Sequence, residues 1–218
     1  MCEEKEFLSL PRIGSPAPEF TAETTKGEIS LSDYKGKWVV LFSHPSDFTP
    51  VCTTEFVGFQ GIKEELAAIN TELIGLSIDS VHSHIAWVRN IEQNFDVKIT
   101  FPVIADLSMD VAKKYGMIMP GESDTATSRA VFVIDDKQVV RTIIYYPSSN
   151  GRNIPEVLRI VQALQASDKH NIATPANWEP GDRVIVPPAK NQDEAAKRMT
   201  DETMECKDFY FCTKELES

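Results

Sequence analysis

Among the side chains of this chain, the thiol of Cys52 has the setting best suited to chemistry. Residues 45–52 read PSDFTPVC. Pro45 and Pro50 restrict the segment and remove two competing N–H groups. Pro45 stands where it can shield the sulfur from water, and Thr49, three residues before the cysteine, can turn a hydroxyl into the same pocket. From Cys52 onward, apolar residues recur at Phe56, Phe59, Ile62, Leu66 and Ile69. Those steps of three and four predict an amphipathic helix reaching Asn70, with Gly58 and Gly61 weakening its middle. Cys52 therefore falls in a first helical turn, where unpaired N–H groups and the positive end of the helix dipole favour an anion. The thiolate is the nucleophilic form of cysteine. Alone, a cysteine at a helix start could equally be a small buried hydrophobe. The flanking proline, threonine and Glu55 favour the reactive reading.

The remaining cysteines are Cys2, Cys206 and Cys212. There is no Cys-x-x-Cys pair, which removes the usual zinc spacing and the common dithiol motif. Cys206 and Cys212 have five residues between them and no histidine nearby, so they are either incidental tail thiols or a redox pair. Cys2 reads as incidental. His44 is either a satisfied strand-end histidine or part of the pocket geometry. His82 and His84 fall two apart on a predicted helix and face different sides, a poor metal pair. No metal site is expected.

The elements that position Cys52 follow from periodicity. Short β-like segments, Phe20–Ala22 and Glu28–Leu31, flank the turn signal Lys26-Gly27. Lys37–Ser43, continuously apolar over Trp38–Phe42, is as expected of a strand buried on both faces. Leu73–Ile78 reads as the next strand, and Ser80 as the cap of a helix presenting Ile85, Val88, Ile91 and Phe95 on one face. Phe101–Ala105 is a third strand, and Ser108–Tyr115 a short helix stopped by Gly116. Ala130–Ile134 and Val139–Tyr145 form a β-hairpin, followed by a helix over Asn153–Ala166 with Val157, Leu158, Val161 and Leu164 inward. The order predicts an α/β fold, a thioredoxin-like sandwich. Beyond residue 167, Pro175, Pro180, Pro187 and Pro188 mark an extended arm with one apolar triplet, Val184–Val186, and a polar helix-like stretch over Asp193–Met204. Such an arm is not expected to bury a core alone.

Composition narrows the partners. Lys+Arg 22 against Asp+Glu 33 gives a net charge of −11, which disfavours phosphate backbones and anionic lipid surfaces. The longest apolar runs, Trp38–Phe42 and Ala130–Ile134, are five residues each, against roughly 20 needed to span a bilayer. The acidic start Met1–Glu6 is unlike a signal peptide, so a cytoplasmic location is expected.

The run His44–Glu55, HPSDFTPVCTTE, resembles the active-site signature of peroxiredoxins, Pro-x-x-x-Thr-x-x-Cys. Its His-Pro opening and Thr-Thr-Glu ending are similar to the one-cysteine branch. The similarity extends through Leu76–Ser80, His84–Trp87, Ser128–Asp135, Tyr146–Asn153 and Ala173–Trp178, essentially the whole chain. It implies a peroxidase domain over residues 8–166 and a carboxyl-terminal extension over 167–218 that carries dimerisation and the resolving cysteines. It implies that Cys52 attacks a hydroperoxide and becomes a sulfenic acid. Charge then spreads over both oxygens of the breaking bond, which calls for oriented donors. The resemblance assigns Arg129 as the catalytic arginine and Arg152 as a second arginine near the pocket. Glu55 would orient Arg129 through a charge-assisted hydrogen bond. Pro45, Thr49 and His44 would complete the pocket, and no cofactor is implied. One-cysteine members use an external thiol, whereas this chain carries Cys206 and Cys212, like archaeal-type members whose tail cysteines resolve the sulfenic acid across a dimer. The resemblance thus implies Cys212 as the resolving residue, Cys206 as its second disulfide partner, a thioredoxin-type dithiol as reductant, and a homodimer assembling to a decamer. A redox-switched holdase is the competing reading. The Gly-x-Ser-x-Gly stretch tied to phospholipase activity in mammalian relatives corresponds here to Tyr34-Lys35-Gly36-Lys37-Trp38, which lacks a serine nucleophile, so no lipase activity is expected.

Overall fold

The computed structural model describes residues 10–216 in two compact units, divided after Ile154. Cys2 and the acidic Met1–Glu6 lie outside the described residues. The first unit is built on a sheet of seven strands. They are β1 (Thr21–Thr24), β2 (Gly27–Ser30), β3 (Trp38–Ser43), β4 (Thr71–Ser77), β5 (Val103–Ala105), β6 (Arg129–Ile134) and β7 (Val140–Tyr146), in the spatial order β2-β1-β5-β4-β3-β6-β7. β3, β4 and β5 run parallel, as their helical crossovers require, and β6 returns antiparallel beside β3. This is the α/β sandwich that the element order predicts.

All six residues of β3 and all six of β6 are buried, which explains why both read as unbroken apolar runs. Alternation then sorts their side chains. Val39, Leu41, Ala130, Phe132 and Ile134 join one cluster with Val111, Ala112 and Tyr115, from and beside helix α3 (Asp110–Lys114). On the opposite face Phe42 stacks on Phe59 at 4.0 Å between ring centres and meets Phe56 edge-on at 5.5 Å. Phe56 and Phe59 come from helix α1 (Pro50–Ala68). Since Arg129 precedes Ala130 on β6, the same alternation turns Arg129 toward the α1 face.

Helix α2 (Val81–Phe95) begins as expected, with the Ser80 side chain accepting from the Ser83 N–H at 3.2 Å. Its inward face is different from the one the apolar residues suggest. His84, Trp87 and Ile91 are buried, while Ile85 and Phe95 are 41% and 52% exposed. The helix is rotated because His84 finds acceptors inside and so costs little to bury.

The second unit, from Pro155, holds α4 (Ile154–His170) apart from its first residue, β8 (Val184–Ile185), α5 (Gln192–Arg198), β9 (Glu205–Asp208) and β10 (Phe211–Lys214). Here the expected helix-like stretch over Asp193–Met204 is shorter, and two cysteine-bearing strands follow it. Trp178, Ile172 and Val184 bury themselves against Ala163 of α4, so the arm's apolar residues close a small core on the helix that precedes them and not among themselves alone. In α4 Val157, Leu158 and Val161 are buried, and Leu164 is only half-buried.

Gly75 in β4 lets the aromatic stack close. A Cβ there would lie 3.2 Å from Phe42 Cζ and 3.5 Å from Phe56 Cζ. Overpacking costs about 1–3 kcal/mol, against about 0.5–1 kcal/mol gained by removing a strand glycine. Gly75→Ala is therefore expected to be net destabilising in chemical denaturation; an unchanged or raised midpoint contradicts the packing described.

Candidate active site

The segment from His44 to Thr49 links β3 to α1, and its backbone makes a sharp entry into the helix. Phe48 adopts φ 53°, a left-handed conformation unusual for a bulky residue. Thr49 then takes the extended N-cap conformation, with Pro50 as the first helical residue. The Thr49 hydroxyl donates to the Ser46 carbonyl at 2.9 Å, and its own carbonyl accepts from Thr53 N at 3.0 Å and Thr53 Oγ1 at 2.8 Å. Pro45 is half-buried in the same segment. Cys52, a free thiol with no exposed surface, sits in the first turn.

One helical step on, at three residues, Glu55 points the same way and is also buried. Its carboxylate is held by two guanidinium groups. Arg129 Nη1 donates to Oε2 at 2.7 Å, and Arg152 donates from Nη2 to Oε2 at 2.7 Å and from Nε to Oε1 at 2.9 Å. The backbone N–H of Arg152 adds a further bond to Oε1 at 2.9 Å. The same Arg129 Nη1 lies 3.3 Å from Cys52 Sγ. Arg129 cannot swing away, because Nε and Nη2 both donate to the Ser148 carbonyl, at 3.0 and 2.7 Å. Arg152 is braced by Nη1 donating to the Ala130 carbonyl at 2.8 Å, and lies over the rings of Phe42 and Phe59. Burial alone would raise the Glu55 carboxyl, but the hydrogen bonds and charge of Arg152, with the charge of Arg129, outweigh it and hold the group below its ordinary value. Arg152 is itself lowered by burial, with Glu55 opposing.

Behind the loop a second polar cluster is enclosed. Asp47 accepts from His44 Nε2 at 2.9 Å and faces His84 Nδ1 at 2.9 Å, while His84 Nε2 lies 3.1 Å from the Ile104 carbonyl. The Asp47 N–H donates to Asp79 at 3.1 Å, and Thr127 Oγ1 donates to the His44 carbonyl at 2.7 Å. Burial raises the Asp47 carboxyl, yet the two histidines more than reverse this and hold it far below the usual range. His44 is pushed down by its complete burial, with Asp47 opposing, and so is neutral near pH 7. His44 Nδ1 is buried without a hydrogen-bond partner among the described residues. These three residues offer ligating atoms within 4.8 Å of one another and are the ones that could hold a cation, although N···O spacings of 2.9 Å are those of direct hydrogen bonds. His82 is exposed and is not part of this cluster.

The structure thus brings together Cys52, Glu55, Arg129 and Arg152, and places Pro45, Thr49 and His44 in the loop that leads into them. Cys206 and Cys212 are joined as a disulfide in the second unit. Sequence reasoning missed Ser148, whose backbone carbonyl carries no side-chain signal. It also missed Asp47 as the partner of His44 and His84, although Asp47 lies within the motif itself.

The Glu55 contribution to stability is complete above about pH 4.5, its ordinary value, and is lost as pH falls from there through the lower native value. Glu55→Gln is expected to cost about 3–5 kcal/mol at pH 7, because two buried cations lose their counter-charge. It should also flatten the acid-side decline in a urea-denaturation series; a neutral-pH cost under about 1 kcal/mol, the range of a surface pair, contradicts this.

Comparison with known proteins agrees with this geometry. Residues 13–143 match the AhpC/TSA family, and residues 163–202 match the C-terminal domain of 1-Cys peroxiredoxin. A peroxiredoxin of Aquifex aeolicus is 54% identical over 97% of this chain and 100% of its own. One from Methanosarcina mazei is 55% identical over 94% and 98%. Among solved structures, a yeast mitochondrial 1-Cys peroxiredoxin superposes with a TM-score of 0.82 at 42% identity, covering 95% of this chain and all of that one. With a cysteine at a helix mouth, an arginine on its sulfur and relatives matching from end to end, this chain belongs to the peroxiredoxin family of peroxidases.

Proposed function

We propose that the protein reduces hydrogen peroxide and organic hydroperoxides through a sulfenic acid at Cys52, and that its own tail and an external dithiol restore the thiol. The observation that carries the first step is Arg129 Nη1 at 3.3 Å from Cys52 Sγ while it is bonded to Glu55 at 2.7 Å. Two arginines and one glutamate leave one net positive charge beside the sulfur. The thiolate attacks the nearer oxygen of the hydroperoxide, forming an S–O bond as the O–O bond breaks. The leaving oxygen departs as hydroxide or alkoxide and takes up a proton, giving water or an alcohol. Arg129 and the free N–H groups of the first turn of α1 are the donors placed to stabilise charge on those oxygens. Thr49, half-buried at the helix mouth, is the hydroxyl that orients the peroxide. Pro45 limits water, and His44 and Arg152 set the pocket from behind.

The sulfenic acid is then attacked by Cys212 of a second copy in a homodimer, which builds up to a decamer. Cys206 exchanges with that linkage to give the Cys206–Cys212 disulfide, the state of the tail in this structure. A thioredoxin-type dithiol reduces it. The yeast mitochondrial relative is described as resolved through glutathione and thioredoxin systems, which supports a thiol route. The site of action is the cytoplasm. The domain assignment follows the same division of labour, with peroxide chemistry in residues 8–166 and resolution and dimerisation in 167–218.

Cys52→Ser is expected to abolish peroxide consumption. Arg129→Ala should lower kcat/KM by about 10²–10³ with the protein still folded, the loss typical of one transition-state donor. Stopped-flow peroxide assays measure both, and full activity in either variant sinks the assignment. For resolution, Cys212→Ser should leave a single turnover of peroxide intact but stop thioredoxin-driven cycling. Peroxide-treated Cys206→Ser should show a Cys52–Cys212 link on non-reducing gels, because the exchange that clears it is blocked; persistent sulfenic or sulfinic acid without it indicates an external thiol instead.

A further inference from the structure

The carboxyl-terminal sheet makes its two cysteines chemically unequal. Its strand order is β8-β10-β9, so Cys206 lies on an edge strand and Cys212 on the central one. The two are register partners and are joined by a disulfide. Cys212 has no exposed surface, whereas Cys206 is partly exposed. Thiol–disulfide exchange is an in-line displacement, so the incoming sulfur must approach from the side remote from the leaving one. With the disulfide closed, approach to Cys212 would have to pass through packed protein; approach to Cys206 is from the edge of β9, where its sulfur is partly exposed beside the Arg198 carbonyl at 3.6 Å.

A second effect opposes this choice. Burial disfavours a thiolate, and the poorer the leaving anion, the slower the exchange. A buried leaving group slows the reaction, but an inaccessible target stops it, so access decides. Once protonated, the released Cys212 thiol has an acceptor in the Asp208 carbonyl, 3.5 Å from its sulfur.

The loop that the disulfide closes carries three consecutive aromatic residues, Phe209, Tyr210 and Phe211, which are 43%, 59% and 42% exposed. Their rings touch one another edge-on. Among the described residues no strand pairs with the outer edge of β9. This tip lies within the loop closed by the disulfide that a partner's sulfur would have to reach. Aromatic side chains are enriched at protein contacts, and an open edge accepts a partner's extended backbone.

We propose that a dithiol protein reductant enters at Cys206, docking on the Phe209–Phe211 tip and the open edge of β9. The inference rests on reading the Cys206–Cys212 disulfide as the oxidised product of turnover. The reductant's thiolate forms a bond to Cys206 Sγ as the Cys206–Cys212 bond breaks. The electron pair goes to Cys212 Sγ, which takes a proton from solvent. The reductant's second thiol then loses its proton and attacks its own first sulfur, and Cys206 leaves and is protonated. The tail disulfide is reduced to two thiols while the dithiol is oxidised to a disulfide.

The test mixes the oxidised full-length protein with a thioredoxin whose second active-site cysteine is replaced by serine. Acid quenching, alkylation and trypsin follow; cleavage after Lys207 puts Cys206 and Cys212 on separate peptides. The expected product joins thioredoxin to the Cys206 peptide, with Cys212 alkylated. Thioredoxin on Cys212, equal amounts of both adducts, or no adduct at all overturns the entry point. The triple variant Phe209→Ser/Tyr210→Ser/Phe211→Ser should slow reduction by thioredoxin about tenfold, as expected on losing contact aromatics, while reduction by dithiothreitol is unchanged. Equal rates with thioredoxin, or equal slowing with both reductants, overturns the docking surface. Peroxide consumption driven by dithiothreitol, with Cys52→Ser as control, is scored separately, so failure of the proposed peroxidase cycle is distinguishable from failure at Cys206.

Discussion

The arrangement around the sulfur depends on a single carboxylate shared by two buried arginines. Glu55 follows Cys52 by one turn of α1, so the helix that sets the sulfur also sets the acceptor that aims Arg129 at it. A buried carboxylate is costly unless it is fully paired, and a buried guanidinium equally so. Here each satisfies the other. Oε1 takes two donors from Arg152, Oε2 takes one from each arginine, and the remaining Arg129 donors close on the Ser148 carbonyl. The result is a positive group held at contact distance from sulfur with little freedom to relax away from it.

The sheet supplies the rigidity. β3 and β6 are neighbours and are buried on both faces, so the end of β3 and the start of β6 are fixed relative to each other before any loop is considered. The aromatic layer of Phe42, Phe56 and Phe59 ties α1 to that sheet, and Arg152 lies over two of these rings, so packing and charge are anchored at one place. The loop bearing His44 and Asp47 is tied back to α2 through His84, and to the segment before β6 through Thr127. The left-handed Phe48 is tolerated because both ends of its loop are tethered in this way.

The second unit follows a different logic. Its strands are short and its core is small, so a cross-strand disulfide in the three-stranded sheet adds a constraint that packing alone supplies weakly there. The placement of that bond between an edge strand and a central strand gives its two sulfurs different surroundings.

Much of this was legible in the residues alone. The apolar steps from Cys52 to Leu66 locate α1, the unbroken run before His44 locates β3, and together they put the thiol at a helix mouth, because those patterns depend only on the local backbone period. Other features were beyond reach of local pattern. The inward face of α2 turns on His84 meeting Asp47, 37 residues away, so an apolar count chose the wrong side. The β9–β10 hairpin is too short and too polar to stand out from its flanks. Arg129 lies 77 residues from Cys52 and Arg152 97 from Glu55, and each of these contacts exists only because the sheet brings distant strand ends together. The sequence by itself determined that the Cys52 sulfur would stand at a helix mouth; only tertiary closure decided which charges surround it, since a buried ion finds its partner by burial and not by spacing along the chain.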